Sequence, residues 1–259
     1  MGGVRTRHLG ALAVLLYSQG PALVLMLGLV ALRHAPFAFG PWVLEASIAG
    51  VSGLVGLAAL YRGMAIGAVS IVAAIAATGP VVPLAAGLLR GERPHPLQLI
   101  GVALALAGVV LLAFDRRHPA TGQRAGPGVG LALVAALAFG IFLLALRDAS
   151  RPDPVWAVVI TRASSVAALA LLGLLFRSRL RVNSGELPAL SLIGALDVSA
   201  DILYAVASVT VLLSLVSILA SLYPAVTVVL ARVLLKERLA PPQRVGLALA
   251  FGGVLLISL

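Results

Sequence analysis

Glu92-Arg93-Pro94-His95-Pro96-Leu97-Gln98-Leu99-Ile100-Gly101 leads into an apolar run from Val102 to Ala113. The same arrangement returns as Glu237-Arg238-Leu239-Ala240-Pro241-Pro242-Gln243-Arg244-Val245-Gly246, followed by Leu247 to Ser258. At an offset of 145 the two stretches agree at 11 of 22 positions: Glu, Arg, Pro, Gln, Gly, Ala, Leu, Ala, Gly, Val and Leu. Shared apolar composition supplies Ala, Leu and Val matches, but it does not place Glu, Arg, Pro and Gln in register. The segment is therefore a duplication. Upstream, Leu60-Tyr61 with Pro80 pairs with Leu203-Tyr204 and Pro224, at slips of one residue.

The surroundings of the duplication fix its medium. Of 259 residues 61% are hydrophobic and 11% charged, with a mean hydropathy of +1.11, far from the composition of a soluble domain. A spanning helix needs about 20 mostly apolar residues. Nine segments meet that requirement, near 9–31, 43–61, 67–89, 97–114, 128–147, 154–176, 188–208, 210–235 and 243–258. The expected fold is all-α, a polytopic membrane helix bundle and a single membrane domain over 1–259. Its first repeat covers 1–125 and its second 126–259, with four and five helices. Five crossings separate Glu92 from Glu237, so the copies face opposite sides of the membrane as inverted repeats, a recurring plan of secondary transporters.

Composition also excludes several functions. The connections are short, so no extramembrane catalytic or nucleotide-binding domain is expected. Nineteen Lys and Arg against nine Asp and Glu give +10, read here as loop charge that orients the bundle rather than as a nucleic-acid surface. Twelve basic residues fall in loops on the N-terminal side, against five on the other (Arg33, Arg90, Arg93, Arg147 and Arg151), which predicts a cytoplasmic N-terminus. Without cysteine there is no disulfide, thiolate metal site or thiol nucleophile. The first apolar run is too long for a cleaved signal peptide. The start Met1-Gly2-Gly3-Val4-Arg5-Thr6 fits the loose myristoylation pattern, an anchor that nine spans do not need.

Leu88-Leu89-Arg90-Gly91-Glu92-Arg93-Pro94, Leu219-Ala220-Ser221-Leu222-Tyr223-Pro224-Ala225-Val226-Thr227 and Leu234-Leu235-Lys236-Glu237-Arg238-Leu239 resemble EamA-type members of the drug/metabolite transporter superfamily. The resemblance covers nearly the whole chain and rests on the paired Gly-Glu-Arg-like turns, each followed by Gln-x-x-Gly. It implies two inverted five-helix halves around a central cavity, and export or exchange of small metabolites or drugs. The first half here holds four segments. An equivalent of the family's first helix is accordingly expected to be absent, through truncation or as a nine-helix variant.

A charge in the hydrocarbon layer costs about 2.5–3.5 kcal/mol on insertion scales, so charges within spans are the first functional candidates. Asp197 and Asp201 stand four residues apart on one helix face, with Tyr204 and Ser208 on the same face. One reading is a cavity wall that binds a cation or carries a proton. The other is an acid pair held by Arg162, whose depth in the sixth segment matches theirs, locking two helices together. Tyr17, Gln19, Tyr61, Tyr204 and Tyr223 place further polar groups in spans, as pathway residues or as interhelical packing. Pro80, Pro83 and Pro224 interrupt helices as gating hinges or static kinks.

Glu92 and Glu237, next to Arg93 and Arg238, read as turn anchors, and Trp42 and Trp156 as interface anchors. Gly63 with Gly67 and Gly87 with Gly91 lie four apart, a spacing that 27 glycines produce by chance. There is no phosphate-binding Gly-x-x-x-x-Gly-Lys loop and one lysine, so ATP drive within this chain is not expected. The chain is expected to be no enzyme, with no catalytic residues, no metal and no cofactor. Its expected partners are a small-molecule substrate and membrane lipids but no nucleic acid, with a homodimer left open. The expected location is the cytoplasmic (inner) membrane. The competing functions are a lipid or lipid-linked head-group flippase, a non-transporting scaffold, and an intramembrane transferase holding Mg²⁺ on Asp197 and Asp201.

Overall fold

A computed structural model describes residues 11–34, 36–66, 69–113, 126–175, 184–220 and 241–257. Its helices are α1 (Ala11–Arg33), α2 (Trp42–Ile66), α3 (Val69–Ala76), α4 (Val81–Leu89), α5 (Pro96–Ala113), α6 (Gly126–Ala149), α7 (Pro154–Leu175), α8 (Leu187–Thr210), α9 (Leu213–Ala220) and α10 (Pro241–Ile257). A 3₁₀ turn, Ser184–Glu186, leads into α8, and the described residues contain no strand. Leu16–Arg33, Trp42–Ile66, Gly128–Ala149, Pro154–Leu175 and Leu187–Thr210 are each long and apolar enough to cross a membrane. Leu32, Leu174 and Leu203 are among many large apolar side chains that lie open on the helix surfaces. Water does not tolerate so much apolar surface, whereas acyl chains do. The protein is an all-α integral membrane protein.

The helices follow the expected segments closely, with informative departures. The second runs past Arg62 and Gly63 to Ile66, because an exposed Arg62 can extend its head group to a polar layer without ending the helix. The expected segment 67–89 is divided into α3 and α4 at Ala77–Pro80. Pro80 has no N–H to continue the ladder. Backbone bonds of i to i−3 type take over, from Thr78 to Ile75, Gly79 to Ala76 and Val81 to Thr78, and the Thr78 hydroxyl donates to the Ile75 carbonyl at 2.6 Å. The break is thus satisfied internally, as a low-dielectric setting demands. Of the expected segment 210–235, the described part is α9.

By contacts the chain forms two compact units, one of Met1–Val51 with Ala145–Val209 and one of Ser52–Leu144 with Thr210–Leu259. In the first, α7 starts with Asp153 as cap and Pro154 in the first turn. Asp153 Oδ1 accepts from the N–H groups of Val155 and Trp156 at 2.8 and 3.1 Å and pairs with Arg33 at 3.4 Å. Phe37 packs edge-on against Trp42 and Trp156, with ring centres 5.6 and 4.9 Å away, so the two expected anchors share one aromatic cluster.

The second unit explains the duplicated sequence. Gly91, at φ +90°, closes a Schellman turn: the Glu92 N–H donates to the Gly87 carbonyl and the Gly91 N–H to that of Leu88. The Glu92 carboxylate folds back over Gly87, where a side chain would collide with it, and accepts from the Leu213 N–H at 2.8 Å. It thereby caps the free N-terminus of α9, 121 residues away. Glu92 is an anchor as expected, and Gly87 is required by Glu92 rather than by spacing from Gly91. Pro96 starts α5, and Gln98 Oε1 accepts from the His95 N–H at 2.9 Å, as in a capping box. Pro96-x-Gln98 of the first copy is thus a helix start.

The recurring glycines form a seam between α5 and α10. A Cβ on Gly101 would lie 2.7 Å from the Gly253 carbonyl oxygen, and one on Gly108 2.6 Å from that of Gly246. The partner's number falls as the residue number rises, so the two equivalent helices run antiparallel. Moreover Gly101 is equivalent to Gly246 and Gly108 to Gly253, so each copy offers the same two glycines to the other, the reciprocal pattern of a two-fold interface. Val102, Ala105, Leu215, Ile218 and Ile257 fill the core beside this seam.

Adding one methyl separates seam from surface. Gly253→Ala should lower the unfolding temperature in detergent by an amount equivalent to about 1–3 kcal/mol of overpacking, because the new Cβ meets the backbone of Gly101 and Ala105. Gly252→Ala, with open space around the position, should be neutral or gain up to about 1 kcal/mol of helix propensity. Equal effects would show that the seam is not closely packed.

Candidate functional site

Small residues bring four helices of the first unit together in two pairs. A Cβ at Gly194 of α8 would strike the Ser18 carbonyl of α1, and one at Gly50 of α2 would strike the Thr161 carbonyl of α7. Hydroxyls hold the second contact: Thr161 donates to the Ala46 carbonyl at 3.1 Å, Ser165 to that of Gly50 at 3.0 Å, and Ser164 to Ser47 at 3.2 Å. Those contacts set Arg162, the residue after Thr161, and Gln19, the residue after Ser18, beside the face of α8 that begins at Gly194.

Arg162 is the hub. Its Nη1 donates to Asp197 Oδ2 at 2.8 Å and to Gln19 Oε1, and its Nη2 to Asp201 Oδ2 at 2.5 Å. All four residues lie within about three residues of their helix midpoints, or roughly 5 Å at 1.5 Å rise per residue. The group therefore sits well inside three helices long and apolar enough to span a membrane. The Arg162 side chain is 6% exposed and that of Asp201 13%, whereas that of Asp197 is 55% exposed. A guanidinium at such depth is tolerable because carboxylates answer its charge and orient its donors. The geometry expected of a helix-locking ion pair is present, and Gln19 is a third acceptor that the depth comparison of Arg162 and the two aspartates did not tie to them.

The other expected residues divide. Tyr204 is buried one turn beyond Asp201 on the same face of α8, and Ser208 follows, its hydroxyl donating to the Ala205 carbonyl at 3.0 Å. Tyr17 is half-buried on α1, two residues before Gln19. Tyr61 is half-buried on α2 in the second unit and is not among the residues gathered around Arg162. Pro80 lies at the α3–α4 break and Pro83 is buried within α4. Tyr223, Pro224, Glu237 and Arg238 lie outside the described residues.

The sequence model of the EamA-like transporter family matches residues 2–114 and 126–259. The chain belongs to this family. EamA-like members are transporters rather than enzymes, in keeping with a site built from an ion network within spans. Uncharacterized protein PA1977 of Pseudomonas aeruginosa is 39% identical over 115 residues, which are 44% of this chain and 37% of that protein. The chain thus matches little more than a third of that relative's length. A solved crystal structure shares the fold at a TM-score of 0.75 and 20% identity, over 96% of this chain and 88% of its own.

Removing the hub should expose its cost. Arg162→Leu leaves Asp201 buried without a counter-ion, and loss of one partner from a buried pair destabilises by about 3–5 kcal/mol. Arg162→Met combined with Asp201→Leu should recover most of that loss in thermal unfolding of the detergent-solubilised protein. A double variant no more stable than the single one would mean that Arg162 and Asp201 are not coupled.

Proposed function

We propose that this chain is a secondary active transporter that exports or exchanges a small metabolite or drug by alternating access through a central cavity in the cytoplasmic membrane. The observation that carries this reading is the mid-span network of Arg162, Gln19, Asp197 and Asp201. Polar groups at that depth are costly and, in membrane proteins, mark the routes of ions and solutes. Family membership supports transport as the general activity.

Two further features favour alternating access. The equivalent helices α5 and α10 run antiparallel, which is what an inverted repeat requires if its halves are to exchange conformations. The α3–α4 break provides a place to bend without exposing backbone to lipid, since its carbonyls are satisfied by i−3 partners. A metal-dependent transferase fits less well, because Arg162 places a positive charge against both carboxylates that a Mg²⁺ would need.

The purified protein in proteoliposomes should give saturable uptake or counterflow of at least one small solute, responsive to a pH gradient. Asp201→Asn should reduce that flux by about ten-fold or more, the loss expected when a charge-assisted hydrogen bond is broken. Equal, gradient-independent flux in both proteins would remove any proton or cation role for Asp201 and leave exchange. If no solute crosses faster than through protein-free vesicles, the chain is not a carrier.

A further inference from the structure

The two carboxylates that hold Arg162 are not equivalent. Asp201 is 13% exposed and bonded to Nη2, while Asp197 is 55% exposed and gives only Oδ2 to Nη1. Its Oδ1 accepts nothing from the described residues. A carboxylate offers about four lone-pair sites, so most of what Asp197 can accept is left open. The lipid stripe of α8 runs through Leu192, Leu196 and Leu203, all exposed, and at 100° per residue Asp197 stands well round the helix from its centre. A carboxyl group well inside a spanning helix is costly to leave facing acyl chains. The open side of Asp197 is therefore suited to a polar or cationic group.

The network is also unbalanced. One guanidinium is shared between two carboxylates. At the same time Arg162 Nε is buried and has no hydrogen-bond partner among the described residues. A guanidinium binds a carboxylate best through two parallel N–H donors, and here each carboxylate receives one. Arg162 can improve its pairing by turning Nε and Nη2 together onto Asp201, and that movement releases Asp197.

We propose that Asp197 is the docking point for the ammonium or guanidinium group of a small organic monocation, which takes the place of Arg162 there while Arg162 closes onto Asp201. The entering cation gives each carboxylate a cationic partner of its own. Asp197 is the specificity-determining residue, and Asp201 is a positioning residue that acts through Arg162. The inference rests on the carrier reading only for the claim that the bound cation is cargo. Docking itself does not require transport.

The test uses the full chain in detergent, with thermal unfolding followed by the fluorescence of Trp42 and Trp156. Methylammonium and methylguanidinium chloride are titrated at constant ionic strength against sodium chloride. In the wild type the organic cations should raise the unfolding temperature saturably and sodium should not. In Asp197→Asn the apparent affinity should fall by about ten-fold or more. If that variant does not fold, Asp197→Glu decides, with a saturable shift at altered affinity expected. No organic-cation shift in the wild type, an equal shift with sodium, an unaltered affinity in Asp197→Asn, or an unaltered affinity in Asp197→Glu overturns the proposal. Cation binding without any flux in proteoliposomes keeps the site and removes the carrier. Solute flux with cation binding unchanged in Asp197→Asn does the reverse.

Discussion

A guanidinium near the middle of a bilayer needs counter-charge, because the surrounding medium supplies none. That requirement orders the first unit around Arg162. Two carboxylates from α8 and an amide from α1 must reach one side chain on α7, and three helices must approach closely enough to let them. Gly194 and Gly50 make the approach possible by leaving room for backbone carbonyls, and serine and threonine hydroxyls hold the α2–α7 contact in place. Hydrophobic attraction cannot draw helices together in lipid, so packing of small residues and interhelical hydrogen bonds take its place.

The second unit solves the same problem without charge at its core. The α5–α10 seam is backbone against backbone, and the acidic group beside it among the described residues, Glu92, lies at a helix end, where it meets the partial positive charge of α9. In the first copy Glu92 caps and Pro96 with Gln98 starts a helix, and the glycines of both copies permit contact. The paired glycines thus make the duplication a physical fit between its two copies as well as a trace of shared ancestry.

Much of this was legible in the sequence. Apolar run lengths placed the helices, since a bilayer fixes how long a span must be. The matching depths of Arg162 and Asp201 foretold their pairing, because charges at one level in hydrocarbon seek each other. Other features were hidden. Gln19 carries no formal charge and left no signal linking it to Arg162. Gly194 and Gly50 looked like any of 27 glycines, because the carbonyl each one admits belongs to a helix distant in the chain. The reach of Glu92 to Leu213 was likewise invisible, as a cap is ordinarily local and this one is not. The interruption at Pro80 was legible, but the 3₁₀-like bonding that heals it depends on Thr78 and on neighbours that sequence spacing alone does not rank.

Because the seam is reciprocal, its two copies constrain each other crosswise. A bulkier residue at Gly101 would have to be accommodated at Gly253, which descends from the same ancestral position as Gly108, and not at Gly246, its own counterpart. Drift in one half is therefore answered at the opposite end of the other half. Two stretches of common origin are thereby tied to each other by mutual fit.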